Sequence, residues 1–149
     1  MDGLIARALE VIGSENERVE ATLPADSPPL SVDPAQLEHV LVNLLENALK
    51  FSSPTDRVEL RAEEAGDDVL IRITDHGPGI PVLEQGLIFE PFKRGTSADG
   101  QRGSGLGLAI ARGFVQLNGG RLWVESEPGE GTTFALAFPA VRVPTRTTA

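Results

Sequence analysis

Two rhythms of apolar residues run along the chain. Between Pro34 and Phe51 the apolar positions Leu37, Val40, Leu41, Leu44, Leu45 and Ala48 recur at three- and four-residue steps, which predicts a helix with one core-facing stripe. Asp33 is a good N-cap, Pro34 suits the first helical turn, and Gln36 is placed to close a capping box. Ser52-Ser53-Pro54 ends the run. A second helix is predicted from Ser104 to Leu117, with Leu106, Ile110, Phe114 and Leu117 as its apolar positions and Asn118-Gly119-Gly120 as its stop. Residues 2–12 read as a short helix.

The other rhythm is alternation. It marks strands at 17–23, 57–63, 68–75, 121–126 and 132–138. Ala65-Gly66-Asp67 makes the second and third of these a hairpin, and Glu127–Gly131 joins the last two. Pro24, Pro28 and Pro29 break regular structure after the first strand. Residues 76–103 are rich in Gly and Pro, with room only for a short helical turn near 82–90. A loop this long in a compact domain is functional or disordered. The resulting order is strand, helix, two strands, long loop, helix, two strands. Tight turns between neighbouring strands predict a mixed, mostly antiparallel sheet covered on one face by two or three helices: a two-layer α/β sandwich. Residues 1–29 are expected to be an N-terminal connection and the first strand, 30–139 the main domain, and 140–149 a frayed tail.

Composition narrows the function classes. The 149 residues carry a net charge of −9, which disfavours nucleic acid held on a broad basic surface. No basic run suggests contact with an anionic membrane. An anionic ligand would need a few local cations and backbone amides to hold it against the overall field. There is no cysteine, so disulfides and thiolate metal sites are excluded, in keeping with a cytoplasmic setting. No apolar run approaches the roughly 20 residues of a membrane helix, although a membrane segment in a longer parent protein stays open.

The helix at 34–51 has a second face. At roughly 100° per residue, Asn43, Glu46, Asn47 and Lys50 fall on one narrow polar stripe opposite the core stripe. A solvated face is one reading. Solvated faces favour Lys and Glu, however, and Asn is a poor helix former, so two of them four residues apart suggest a task. Amide oxygens suit a hard cation that keeps several waters, as Mg²⁺ does, and a lysine on the same stripe can meet a phosphate.

Two glycine-rich stretches follow. Asp75-His76-Gly77-Pro78-Gly79-Ile80 comes directly after a strand. A carboxylate there can accept from an amino group while bare backbone lets a flat ring approach; a tight turn with a solvated Asp is the alternative. Gly103-Ser104-Gly105-Leu106-Gly107-Leu108 opens the second helix. Uncovered backbone N–H groups at that point can bind an anion, or the glycines can serve only close packing. Neither stretch is a GxxxxGK[ST] or GxGxxG loop. Between them, Phe89 and Phe92 can anchor one end of the loop and leave Arg94 free to swing, or form a plain hydrophobic clip.

Taken in order, these segments resemble the ATP-binding domain of sensor histidine kinases, in the superfamily shared with DNA gyrase, the ninety-kilodalton heat-shock chaperones and the mismatch-repair ATPases. The likeness runs from about residue 30 to 139. Residues 43–51 resemble the N box, which implies Mg²⁺ at Asn47, metal or phosphate support from Asn43, phosphate at Lys50 and adenine packing on Phe51. The first glycine box is matched by Asp75, Gly77, Gly79 and Ile80, with Asp75 taking the adenine amino group. The stretch 89–94 resembles the F box, with Phe92 in the loop and Arg94 sensing phosphate. Gly103, Ser104, Gly105, Leu106, Gly107 and Leu108 resemble the second glycine box, which grips phosphates. Gly131-Thr132-Thr133-Phe134 resembles the closing element, with Thr132 beside the adenine site.

The resemblance implies a catalytic domain that binds Mg-ATP and passes the γ-phosphate to a histidine, with Lys50 and Arg94 as the catalytic cations. The gyrase branch carries a glutamate base at the position of Asn43, and an Asn cannot deprotonate water, so the kinase branch is favoured. The chain's two histidines, His39 and His76, lie inside the N box and the glycine box, so neither has the setting of a phosphoacceptor. The implied partner is the phosphoacceptor helical hairpin of a parent kinase, and through it a response regulator. Without that hairpin a monomer is expected, with no nucleic-acid or direct membrane contact. A stand-alone anti-sigma-type serine kinase and an ATP-sensing module without phosphotransfer are the alternatives.

Overall fold

The computed structural model describes residues 2–24, 30–52, 55–80, 82–85, 87–89, 107–126 and 129–140. Helix α1 spans Asp2–Ile12 and runs into a 3-10 helix at Gly13–Arg18, which delays strand β1 to Val19–Thr22. Helix α2 spans Pro34–Phe51, followed by β2 at Val58–Ala65, β3 at Asp68–Asp75 and the one-turn helix α3 at Val82–Gln85. Helix α4 at Gly107–Leu117, β4 at Arg121–Ser126 and β5 at Thr132–Pro139 complete the described elements.

The five strands form one sheet in the order β1-β2-β3-β5-β4. Only β1 and β2 are parallel; the other three pairings are antiparallel. The parallel pair needs a crossover, and α2 supplies it. One face of the sheet carries the core. Leu37, Val40, Leu41, Leu44, Leu45 and Ala48 of α2 pack on Val58 and Leu60, Ile71 and Ile73, and Phe134, Leu136 and Phe138. Ile5 and Ala8 of α1 and Ala111 and Val115 of α4 join the same core. On the helix-free face, Leu70, Ala135 and Ala137 form a small cluster under Trp123. The mixed two-layer arrangement is therefore the one expected from the sequence.

Two local expectations need correction. Asp33 caps α2 by accepting from the Ala35 and Gln36 backbone N–H groups, but Gln36 does not close the box. The Asp33 N–H donates instead to Asn118 Oδ1, and the Gln36 side chain accepts from Asn118 Nδ2. A partner from α4's end reaches the cap better than the residue three positions along. The apolar stripe of α4 is also rotated. Ala111 and Val115 are buried, whereas Ile110 and Leu117 are 40% and 75% exposed. Helix α4 lies close against α2, and close approach selects the face with the small residues Gly107 and Ala111. Leu106, expected in that stripe, lies outside the described residues.

Candidate functional site

Strand β3 is the middle strand of the sheet, and it ends at Asp75 opposite Thr132, the first residue of β5. Asp75 is only 3% exposed. Burial pushes its carboxyl above the ordinary value of 3.8; N–H bonds from Gly77 and Thr132, and then nearby His76, pull it back. The Gly77 N–H lies 2.8 Å from Asp75 Oδ1. A buried carboxyl with residual acceptor capacity is suited to an amino group brought in by a ligand. Gly131 lets the β4–β5 hairpin lie directly on this residue. Its φ is 90°, and an added Cβ would sit 2.2 Å from the Asp75 carbonyl oxygen.

The loop after Asp75 is strapped to that hairpin. The Ile80 N–H donates to Ser126 Oγ at 2.8 Å, and Ser126 Oγ donates to the Gly131 carbonyl at 2.9 Å. With its one proton so used, Ser126 must accept from Thr132 Oγ1, 3.1 Å away. Gln85 Nε2 donates to the Ile80 and Ser126 carbonyls, both at 2.9 Å. The Gly129 N–H donates to the Pro78 carbonyl at 2.7 Å.

The polar stripe of α2 adjoins this corner. The His76 N–H donates to Ser52 Oγ at 3.3 Å, and Ser52 is the buried C-cap of α2. Helix end and strand end are thus joined. Asn43 is half-buried and its Nδ2 donates to the Gly107 carbonyl at 3.0 Å. Asn47 is half-buried, with no hydrogen-bond partner for its side chain among the described residues. Glu46 and Lys50 are exposed. Phe89 is buried edge-on against Phe134, with the Arg112 guanidinium 5.2 Å from its ring centre. No helix among the described residues is long and apolar enough to cross a membrane.

The family described as histidine kinase-, DNA gyrase B-, and HSP90-like ATPase matches residues 32–142. The chain belongs to this family. Among curated relatives, the sensor protein KdpD of Rathayibacter rathayi is 42% identical over 139 residues, covering 93% of this chain but 16% of that protein. The chain thus spans about a sixth of KdpD. Among solved structures, the mycobacterial sensor histidine kinase MprB superposes with a TM-score of 0.83 at 34% identity, covering 96% of this chain and 97% of that one. Full-length ShkA in complex with AMPPNP gives a TM-score of 0.74 at 29% identity, covering 97% of this chain and 31% of that one. The chain is thus a histidine-kinase ATPase domain, the catalytic and ATP-binding part of such kinases.

Within this histidine-kinase ATPase domain, the described residues bring Asn43, Asn47, Lys50, Asp75, Gly77, Gly79, Ile80, Gly107, Leu108 and Thr132 into the region between α2, the β3 end and the α4 start. Phe92, Arg94, Gly103, Ser104, Gly105 and Leu106 lie outside the described residues, as does the side chain of Phe51. Sequence reasoning missed Ser52, Gln85 and Ser126. Each is an ordinary helix, helix-end or strand-end residue locally, and only the tertiary arrangement reveals its task. Ser126 gave one faint signal: it ends a strand just before Glu-Pro-Gly, where a side chain can turn back onto its own hairpin.

Proposed function

We propose that the domain binds Mg-ATP between α2 and the segment that precedes α4, and donates the γ-phosphate to a histidine carried on a separate phosphoacceptor hairpin. The observation that carries this reading is Asp75: a buried acceptor at the end of the central strand, one hydrogen bond away from the end of a helix that presents Asn43, Asn47 and Lys50. The adenine amino group would donate to Asp75, with Gly77, Gly79 and Ile80 forming the backbone wall and Thr132 on its flank. The triphosphate would then extend toward Asn43, Asn47 and Lys50 and the start of α4 at Gly107.

The donor set on α2 fits magnesium. Asn47 offers a half-buried amide oxygen with no competing partner among the described residues, and a hard cation that retains water suits such oxygens. Bound there, the ion would neutralise phosphate charge. Lys50 would hold a phosphate as a point charge and Arg94 would approach from the loop. In the transfer itself, a bond forms between the acceptor imidazole nitrogen and phosphorus while the bond to the bridging oxygen breaks and ADP leaves. The protein's share is positioning and charge stabilisation. Asn43 offers no base to activate water, which favours transfer over hydrolysis. Residues 30–139 are assigned to the nucleotide-binding unit, 1–29 to the connection toward the hairpin and the first strand, and 140–149 to a tail.

The test is calorimetric titration with a non-hydrolysable ATP analogue, with and without Mg²⁺, followed by radiolabelled ATP and a hairpin substrate. Magnesium-enhanced binding and an acid-labile label on the hairpin are expected. Tight binding without label would remove the transfer step and leave an ATP sensor. An acid-stable label would mark a serine kinase.

A further inference from the structure

The end of α4 and the start of α2 are joined by a side chain at the opposite end of the helix pair from the nucleotide site. Asn118 Oδ1 accepts from the Asp33 N–H at 2.7 Å, and Asn118 Nδ2 donates to Gln36 Oε1 at 2.8 Å and to the Phe114 carbonyl at 2.7 Å. Its backbone is fixed as well. The Gly119 N–H donates to the Gln116 carbonyl and the Gly120 N–H to the Val115 carbonyl, a Schellman ending in which Gly119 takes φ 80°.

At the other end of α4, Asn43 Nδ2 holds the Gly107 carbonyl. Midway, the His39 and Phe114 rings meet edge to face at 5.4 Å. Gln36, His39 and Asn43 follow one face of α2, and Gly107, Phe114 and Asn118 one face of α4. The two helices therefore run antiparallel, with a polar contact at each end. Beneath lie Leu37, Val40, Ala111 and Val115. Apolar contacts are non-directional and leave helices some freedom to slide, whereas hydrogen bonds fix distance and angle. The site end tolerates little sliding: a Cβ added at Gly107 would lie 2.9 Å from Asn43 Oδ1.

We infer that Asn118 is a positioning residue for nucleotide binding, which locks the register of α4 on α2 and so holds the start of α4 beside Asn43 and Asn47. A helix of 11 residues is about 16 Å long and moves as a rod, so a shift at Asn118 appears at Gly107. The inference rests on the reading that the triphosphate lies at that end.

The experiment compares wild type, Asn118→Leu and Asn118→Asp at a temperature where circular dichroism shows all three folded. Leu keeps the volume in a crevice already lined by Leu37, Val40, Phe114 and Phe138, and Asp keeps the acceptor for the Asp33 N–H. Each is titrated with AMP and with magnesium AMPPNP. Asn118→Leu is expected to weaken AMPPNP binding about tenfold and leave AMP unchanged, with Asn118→Asp between it and wild type. A lower melting temperature with both affinities unchanged would make Asn118 a structural residue only and overturn the inference. Equal losses for AMP and AMPPNP would overturn it too. Wild type that binds no AMPPNP would bring down the nucleotide reading itself, and this inference with it.

Discussion

The two ends of the proposed ATP site are built differently. At the Asp75 end the carboxyl is buried, the following loop is tied to the β4–β5 hairpin through Ser126 and Gln85, and Ser52 ties it to α2. At the α2 end, Asn47 and Lys50 lie on a half-open helix face, and Asn43 bonds across to the Gly107 carbonyl of α4. One end is assembled before any ligand arrives; the other presents the Asn47 amide, which has no partner among the described residues and which a ligand would complete. Preorganisation at the base end should cost stability and secure specificity, while the phosphate end should be nearly free of folding consequences.

The largest effect that could break this contrast is expected at Gly131. Gly131→Ala combines a left-handed backbone with a Cβ driven against the Asp75 carbonyl, and should destabilise the fold by about 2–6 kcal/mol in urea denaturation. A variant as stable as wild type would mean that the hairpin is not held on Asp75.

Asp75→Asn comes next. Loss of the charged acceptor should weaken binding of an ATP analogue about 100-fold by calorimetry. Its melting temperature should nevertheless equal or exceed that of wild type, because burial disfavours the charge. The sign follows from the raised pKa. The folded protein holds the proton more tightly than the unfolded chain, so stability falls as pH rises from about 3.8 through the folded value. Below that window the penalty is gone, and above it the penalty is complete. The stability advantage of Asp75→Asn should therefore shrink as the solution is acidified.

Ser126→Ala should remove about 1–3 kcal/mol by leaving the Ile80 N–H, the Gly131 carbonyl and the Thr132 hydroxyl short of a partner, read by the same denaturation curves. The smallest effect on stability belongs to Asn47→Ala, within about 0.5 kcal/mol of wild type, since Ala is the better helix former and no described partner is lost. That variant should lose the Mg²⁺-dependent part of nucleotide affinity. A large stability loss at Asn47 would erase the distinction between the two ends.

What could be read from the sequence follows the same division. Asp33 and Pro34 announce α2 because capping is local chemistry, and the core stripe of α2 is visible because its period is strict. The second half of the cap was not visible, since Asn118 lies 85 residues away. The inward face of α4 was misjudged for a related reason. Hydrophobicity favours Ile110 and Leu117, but packing distance against α2 favours Gly107 and Ala111. Asp75 stands out because a lone carboxylate between a strand and two glycines is locally odd. Ser52, Gln85 and Ser126 do not, because their partners come from other elements.

The strand order has a consequence for the making of the protein. Strand β3 lies between β2 and β5, and β5 follows the other four described strands in the sequence. A nascent polypeptide emerging from the ribosome therefore presents β1, α2, β2 and β3 with one side of Val69-Leu70-Ile71 unpaired until Thr132–Pro139 arrives. That bare apolar edge invites pairing with a neighbouring chain in the interval. Stalling synthesis just before Thr132 should then yield aggregates, and release of eight more residues should suppress them by closing the sheet.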